Sequence, residues 1–160
     1  MIENRNKVAV RYRNVDYTYE QLLKLSACYA RHFSTQPDVD KVAIFAENSP
    51  EWVFAFYGAV RNGSVVVPID VLSTPKEIAY ILNDCRPEIV FTSPSKKSTL
   101  EQAISMVNDY SCAVIVSDDV DNSLIAEMPA LPIENRPLDD TLLIIYTSGT
   151  TGSPKGVMLT

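Results

Sequence analysis

With 160 residues, of which 46% are hydrophobic, the chain has ordinary single-domain length and enough apolar material for a core. A formal charge of −6 and a pI near 4.7 exclude a nucleic-acid or anionic-membrane surface, since Lys96-Lys97 is too short to form a counterion-releasing stripe. No apolar run reaches membrane-spanning length, and the start Met1-Ile-Glu-Asn-Arg-Asn-Lys7 is polar, so the expectation is a protein with neither transmembrane segment nor signal peptide, located in the cytoplasm.

Val8–Arg13 and Tyr17–Tyr19 read as two short strands around a turn at Asn14-Val15-Asp16, a hairpin. Thr18 and Gln21 then form a capping box, followed by Leu22, Leu25, Tyr29 and Phe33 at helical spacing, in a helix that ends before Pro37. Lys41–Ala46 is a continuous apolar run too short for a helix, the pattern of a strand buried on both faces. Ser49-Pro50 is an N-cap with a first-turn proline, and Trp52–Val60 is apolar nearly all round, which predicts a helix central to the core. Asn62-Gly63 ends it, and Ser64–Val67 begins a strand closed by Pro68.

Thr74-Pro75-Lys76-Glu77 repeats the cap, with Ile78, Ile81, Leu82 and Cys85 on one helix face and Pro87 as the stop. Glu88–Thr92 is a strand. The spacing predicts a helix over Leu100–Asn108 with Leu100, Ile104 and Val107 inward, then a strand over Ala113–Val116. Strands alternating with helices give an α/β fold: a mostly parallel sheet with helices on both faces and right-handed crossovers. Ser117–Asp140 breaks this rhythm with acidic residues and Pro129, Pro132 and Pro137, and reads as a connecting segment. Cys28, Cys85 and Cys112 lack metal or redox spacing and read as reduced packing thiols, and His32 as a helix-end residue, so no metal ligand is assigned.

Chemistry concentrates after Leu142–Tyr146, where an apolar strand stops at Thr147-Ser-Gly-Thr-Thr-Gly-Ser-Pro-Lys155-Gly156. Glycines 149, 152 and 156 permit close approach of backbone amides to an anion. Thr147, Ser148, Thr150, Thr151 and Ser153 supply hydroxyls, and Lys155 a compact positive charge. Such a loop is suited to phosphate. It is no Walker A loop, because Ser153 and Pro154 separate Gly152 from Lys155; nor is it a dinucleotide fingerprint; nor an esterase elbow, because Tyr146 stands at the first glycine position.

Tyr146–Gly156 resembles the signature Tyr-Thr-Ser-Gly-Thr-Thr-Gly-x-Pro-Lys-Gly of the adenylate-forming (AMP-forming) acyl-CoA synthetases, a family that includes peptide-synthetase adenylation domains and luciferase. Asn48–Trp52, Gly63–Pro68, Thr74–Glu77 and Ile81–Asp84 fall in the order and spacing expected upstream of that signature. The resemblance implies an incomplete N-terminal AMP-binding-type domain over 1–160, from the large domain of such an enzyme. Its expected parts are a hairpin (1–19), an alternating helix and strand body (20–116), a connecting segment (117–140), and a strand with its phosphate loop (141–160).

It further implies ATP phosphates held by Thr147, Ser148, Gly149, Thr150, Thr151, Gly152 and Lys155, with Lys155 as the catalytic residue. For the parent enzyme it implies ATP, magnesium (Mg2+), coenzyme A and a carboxylic acid, by first choice a fatty acid. An amino-acid or acyl-carrier-protein adenylating enzyme is the alternative, and a non-catalytic scaffold the rival from outside enzymes. The adenine, ribose, metal and acyl pockets lie downstream of the signature in that family, so the chain alone is expected to be inactive and prone to self-association.

Overall fold

The computed structural model describes residues 5–130, 133, 137, 139–147 and 154–160. Strands β1 (Val8–Tyr12) and β2 (Val15–Thr18) form a hairpin, a two-stranded antiparallel sheet of their own, but its turn is at Arg13-Asn14 rather than 14–16, and Tyr19 already belongs to the first helix. A six-stranded sheet carries the remainder: β3 (Lys41–Phe45), β4 (Val65–Pro68), β5 (Ile89–Thr92), β6 (Ala113–Val116), β7 (Leu143–Thr147) and β8 (Lys155–Leu159). Their order across the sheet is β6-β5-β3-β4-β7-β8, parallel throughout except for the β7–β8 hairpin.

Four helices cover this sheet: α1 (Tyr19–Phe33), α2 (Pro50–Arg61), α3 (Pro75–Cys85) and α4 (Lys97–Ile104). Side-chain alternation along the strands explains how both faces are filled. Val42, Ile44, Val66, Ile89 and Phe91 pack with Leu22, Tyr29, Phe33, Phe54 and Ala59 of α1 and α2. Ala43, Phe45, Val67 and Val90 point the other way, onto Ile78, Ile81 and Leu82 of α3 and Leu100 and Ala103 of α4. The central strands are therefore continuous apolar runs because each of their faces meets helices.

Helix starts follow the cap residues read from sequence. Thr18 and Thr74 each form a full capping box, with Gln21 and Glu77 respectively, and Ser49 caps α2 ahead of Pro50. The Glu77 carboxylate accepts from the Thr74 amide at 2.7 Å and the Thr74 hydroxyl at 2.8 Å, and these bonds, amide first, hold its pKa below the ordinary value of 4.5. Thr74→Ala should cost about 1 kcal/mol. A group with a depressed folded pKa stabilises above its unfolded value and loses that stabilisation as pH falls through the folded value. The melting gap between wild type and Thr74→Ala should thus be full near neutral pH and narrow below pH 4.5. An unchanged gap at about pH 3 would remove the carboxylate from the cap's energetics.

Two helix expectations need correction. Helix α4 spans Lys97–Ile104 rather than 100–108: a turn bonding Lys97 N–H to the Ser93 carbonyl starts it early, and the Ser105 hydroxyl turns back onto Gln102 at its end. Val107 is nevertheless buried, in the turn that follows, which is why it shares the helical period. Helix α2 is not enclosed all round, since Phe54, Ala55, Gly58 and Ala59 are buried while Tyr57 is exposed and Trp52 stacks on Phe56 at a half-buried face. The segment after β6 contains two short 3-10 helices, Ser117–Asp119 and Asn122–Ala126, whose neighbourhood packs Val120, Leu124, Ile125 and Met128 onto the α1 side of the core. Finally, β7 is half-buried, because its outer neighbour β8 is an exposed edge strand.

Candidate phosphate-loop site

The carboxyl ends of the parallel strands collect on one edge of the sheet, the place where open α/β sheets put their ligand sites. Here β3 runs out to Glu47, β4 to Asp70, β5 to Ser93 and β7 to Thr147. Strand β7 sits beside β4, with the Val66 amide donating to the Leu142 carbonyl at 3.0 Å. That pairing brings Thr147 to the turn after β4. A cleft of about 350 Å³ opens there, lined by Pro68, Asp70, Ser73, Glu77, Ile81, Tyr146, Thr147 and Pro154.

Thr147 and Lys155 face one another as the last pair of the β7–β8 ladder. Both are exposed. The loop read from sequence is thus the connection of an antiparallel hairpin, and the two predicted binding residues at its base are brought together. Ser148, Gly149, Thr150, Thr151 and Gly152 lie outside the described residues. Among the described residues none forms an ion pair with Lys155.

Gly156 has a different role from the one its place in the loop suggested. It lies within β8 opposite Tyr146, where a Cβ would come within 3.2 Å of the tyrosine Cζ and 3.1 Å of Ile144 Cγ2. Its missing side chain makes room for the Tyr146 ring. The tyrosine hydroxyl donates to Asp84 Oδ2 at 2.6 Å, joining β7 to the end of α3. Burial first, and then that carboxylate, raise the Tyr146 pKa, so the phenol stays a neutral donor.

A second polar group lies along the same edge. Glu47 accepts hydrogen bonds from the Ser93 and Ser95 hydroxyls. Burial pushes its carboxyl upward, but the two hydroxyls, a backbone hydrogen bond and the charge of Lys96 together leave the net shift downward. Lys96 donates to the Val71 carbonyl at 3.1 Å and lies over the Phe45 ring. Among the described residues no three His, Cys, Asp or Glu side chains converge as metal ligands, so none of them is assigned to magnesium. Cys28, Cys85 and Cys112 are free thiols, all raised by burial, Cys85 to about 11. Among the described residues no helix is long and apolar enough to cross a membrane.

Glu77 reads in the sequence only as a cap residue, and Asp70 and Ser73 carry no local signal of a site. Their place in the cleft depends on β4 pairing with β7 across a long stretch of chain, which no local pattern announces. Asp84 and Tyr146 likewise meet over a separation of 62 residues.

The sequence model of the family described as AMP-binding enzyme matches residues 2–160, nearly the whole chain. The chain belongs to the AMP-binding enzyme family. Among curated relatives of this family, 4-hydroxybutyrate--CoA ligase 2 of Metallosphaera sedula is 32% identical over 178 residues, covering 96% of this chain and 31% of that protein. D-alanine--D-alanyl carrier protein ligase of Staphylococcus epidermidis is 33% identical over 158 residues, covering 98% of this chain and 30% of that protein. A solved structure, the Mycobacterium tuberculosis fatty acyl CoA synthetase, superposes with a TM-score of 0.73 at 30% identity, over 91% of this chain and 29% of that one. The α/β architecture is that of the N-terminal domain of adenylate-forming enzymes. The chain spans about a third of the length of each of these three relatives.

Proposed function

We propose that the chain is the N-terminal part of an ATP-dependent acid:thiol ligase, an AMP-forming acyl-CoA synthetase acting on a fatty acid. In the reaction a carboxylate oxygen attacks the α-phosphorus of ATP, the bond from that phosphorus to the bridging oxygen breaks, and pyrophosphate leaves. The acyl group of the resulting acyl-AMP then passes to the thiol of coenzyme A, with release of AMP. The observation that carries this reading is Thr147 paired with Lys155 at the carboxyl edge of the sheet, in a chain that belongs to the AMP-binding enzymes.

Lys155 and the loop from Thr147 to Gly152 are assigned to the β and γ phosphates. Negative charge grows on the departing pyrophosphate, so preplaced amides, hydroxyls and an ammonium act where it develops. Magnesium would neutralise the same phosphates. The domain reading, an incomplete unit of hairpin, alternating body, connecting segment and phosphate-loop strand, belongs to the same proposal. A carrier-protein ligase is the second reading, favoured by the likeness to the staphylococcal enzyme. Carboxylate-dependent ATP–pyrophosphate exchange across fatty acids, short hydroxy acids and amino acids separates them, and absence of exchange with every acid would overturn adenylation itself.

The isolated chain is proposed to be inactive and to self-associate. Val157, Met158 and Leu159 are 45%, 69% and 43% exposed on β8, at the edge of the sheet, and an apolar edge strand recruits another strand. Sedimentation should show concentration-dependent dimers or larger species. A monomer at every concentration would sink this part.

A further inference from the structure

At the base of the phosphate hairpin one side chain, that of Tyr146, joins β7 to α3 by a hydrogen bond. Strand β7 has only the short pairing to β4 on one side and the exposed β8 on the other. Its last half-buried residue is Tyr146, next to Thr147. Two features on different elements fit that side chain: Asp84, near the end of α3, takes its hydroxyl at 2.6 Å, and Gly156, opposite it in β8, leaves space for its ring. Asp84 and Gly156 each meet the tyrosine side chain.

We propose that Asp84 and Gly156 are positioning residues for the phosphate loop, acting through Tyr146, which one holds by its hydroxyl and the other admits across the hairpin. The proposal rests on the adenylation reading for its functional consequence. The physical logic is preorganisation of ATP binding: a loop whose base is already fixed by contacts behind it gives up less freedom when the ATP phosphates bind, so loosening that base weakens the binding. Asp84 is exposed, so the tether adds little to global stability. Its effect is local, on the angle at which β7 and β8 deliver Thr147 and Lys155. An alanine Cβ at 156 would press the ring and Ile144 at 3.2 and 3.1 Å and shift the tyrosine by a few tenths of an ångström.

Amide hydrogen exchange on the 160-residue chain tests the tether. Tyr146→Phe and Asp84→Ala should each speed exchange of the β7–β8 ladder amides about fivefold. The double variant should be no faster than either single one, because both remove the same bond. Asp84→Asn, which keeps an acceptor oxygen, should return the rate close to wild type, and β3–β4 amides should stay unchanged throughout. Additive effects, or no effect, would overturn the proposal. In the longer ligase, Tyr146→Phe and Gly156→Ala should raise KM for ATP in pyrophosphate exchange about tenfold while kcat changes less than about twofold. An unchanged KM with an active wild type would overturn the positioning role. A wild type without exchange activity would instead remove the adenylation reading, and the hydrogen-exchange result would then decide the tether alone.

Discussion

Lys155→Ala is expected to lower carboxylate-dependent ATP–pyrophosphate exchange at least about tenfold in the ligase proposed here, equivalent to more than about 1.4 kcal/mol of transition-state stabilisation. The expectation has a structural basis beyond the motif. Lys155 opens β8 and is backbone-paired with Thr147, so its Cα is fixed by the ladder even though its side chain is exposed. Among the described residues the ammonium has no competing carboxylate to leave when it meets a phosphate. Because the charge it stabilises grows as pyrophosphate departs, the loss should fall mainly on kcat, in contrast to the KM effect expected of Tyr146→Phe. Gly149→Ala should give a loss of the same order, because the signature places a glycine where the backbone must approach the anion. Wild-type exchange rates in both variants would sink the assignment of the loop.

How much of this was legible in the sequence depended on whether the cause was local. Capping boxes act within one turn, so Thr18 with Gln21 and Thr74 with Glu77 marked their helix starts correctly. Buried strands showed as apolar runs because two covered faces remove polar alternation, and β3 and β5 appeared where those runs stood. The phosphate loop announced itself by residue order. Strand β8 did not, since Lys155-Gly-Val-Met-Leu159 is a short run whose strand character comes from its pairing with β7. Gly156 carried the same ambiguity: a glycine required by a neighbouring ring looks, in sequence, like a glycine required by a turn. The cleft residues Asp70, Ser73 and Glu77, and the Asp84 to Tyr146 bond, exist only because the sheet places β7 beside β4. Strand order is a tertiary property, and no window of sequence contains it.

Gly58→Ala should be among the most destabilising single-methyl changes in the chain, although alanine is the better helix former. Replacing glycine inside a helix favours folding by up to about 1 kcal/mol. At position 58 the added Cβ would come within 2.6 Å of Tyr29 Cβ, 3.1 Å of the Ala30 amide nitrogen and 3.2 Å of the Ser26 carbonyl oxygen. None of these atoms is the free end of a side chain. Tyr29 is fully buried, and its ring meets Phe33, Phe54 and Phe91 edge to face at 6.4, 6.1 and 5.7 Å between centroids, so it has nowhere to turn. The only relief is to part α1 from α2, and that loosens the aromatic group filling this side of the sheet. Overpacking of this kind costs about 1–3 kcal/mol, and contact with main-chain atoms places Gly58 at the upper end, for a net loss of about 2 kcal/mol after the helix gain. Urea unfolding should show a lower midpoint with an unchanged slope, and the melting temperature should drop by about 5 °C. A midpoint equal to or above wild type would mean that the two helices separate at almost no cost, and that the close packing of α1 on α2 is not what holds this half of the core.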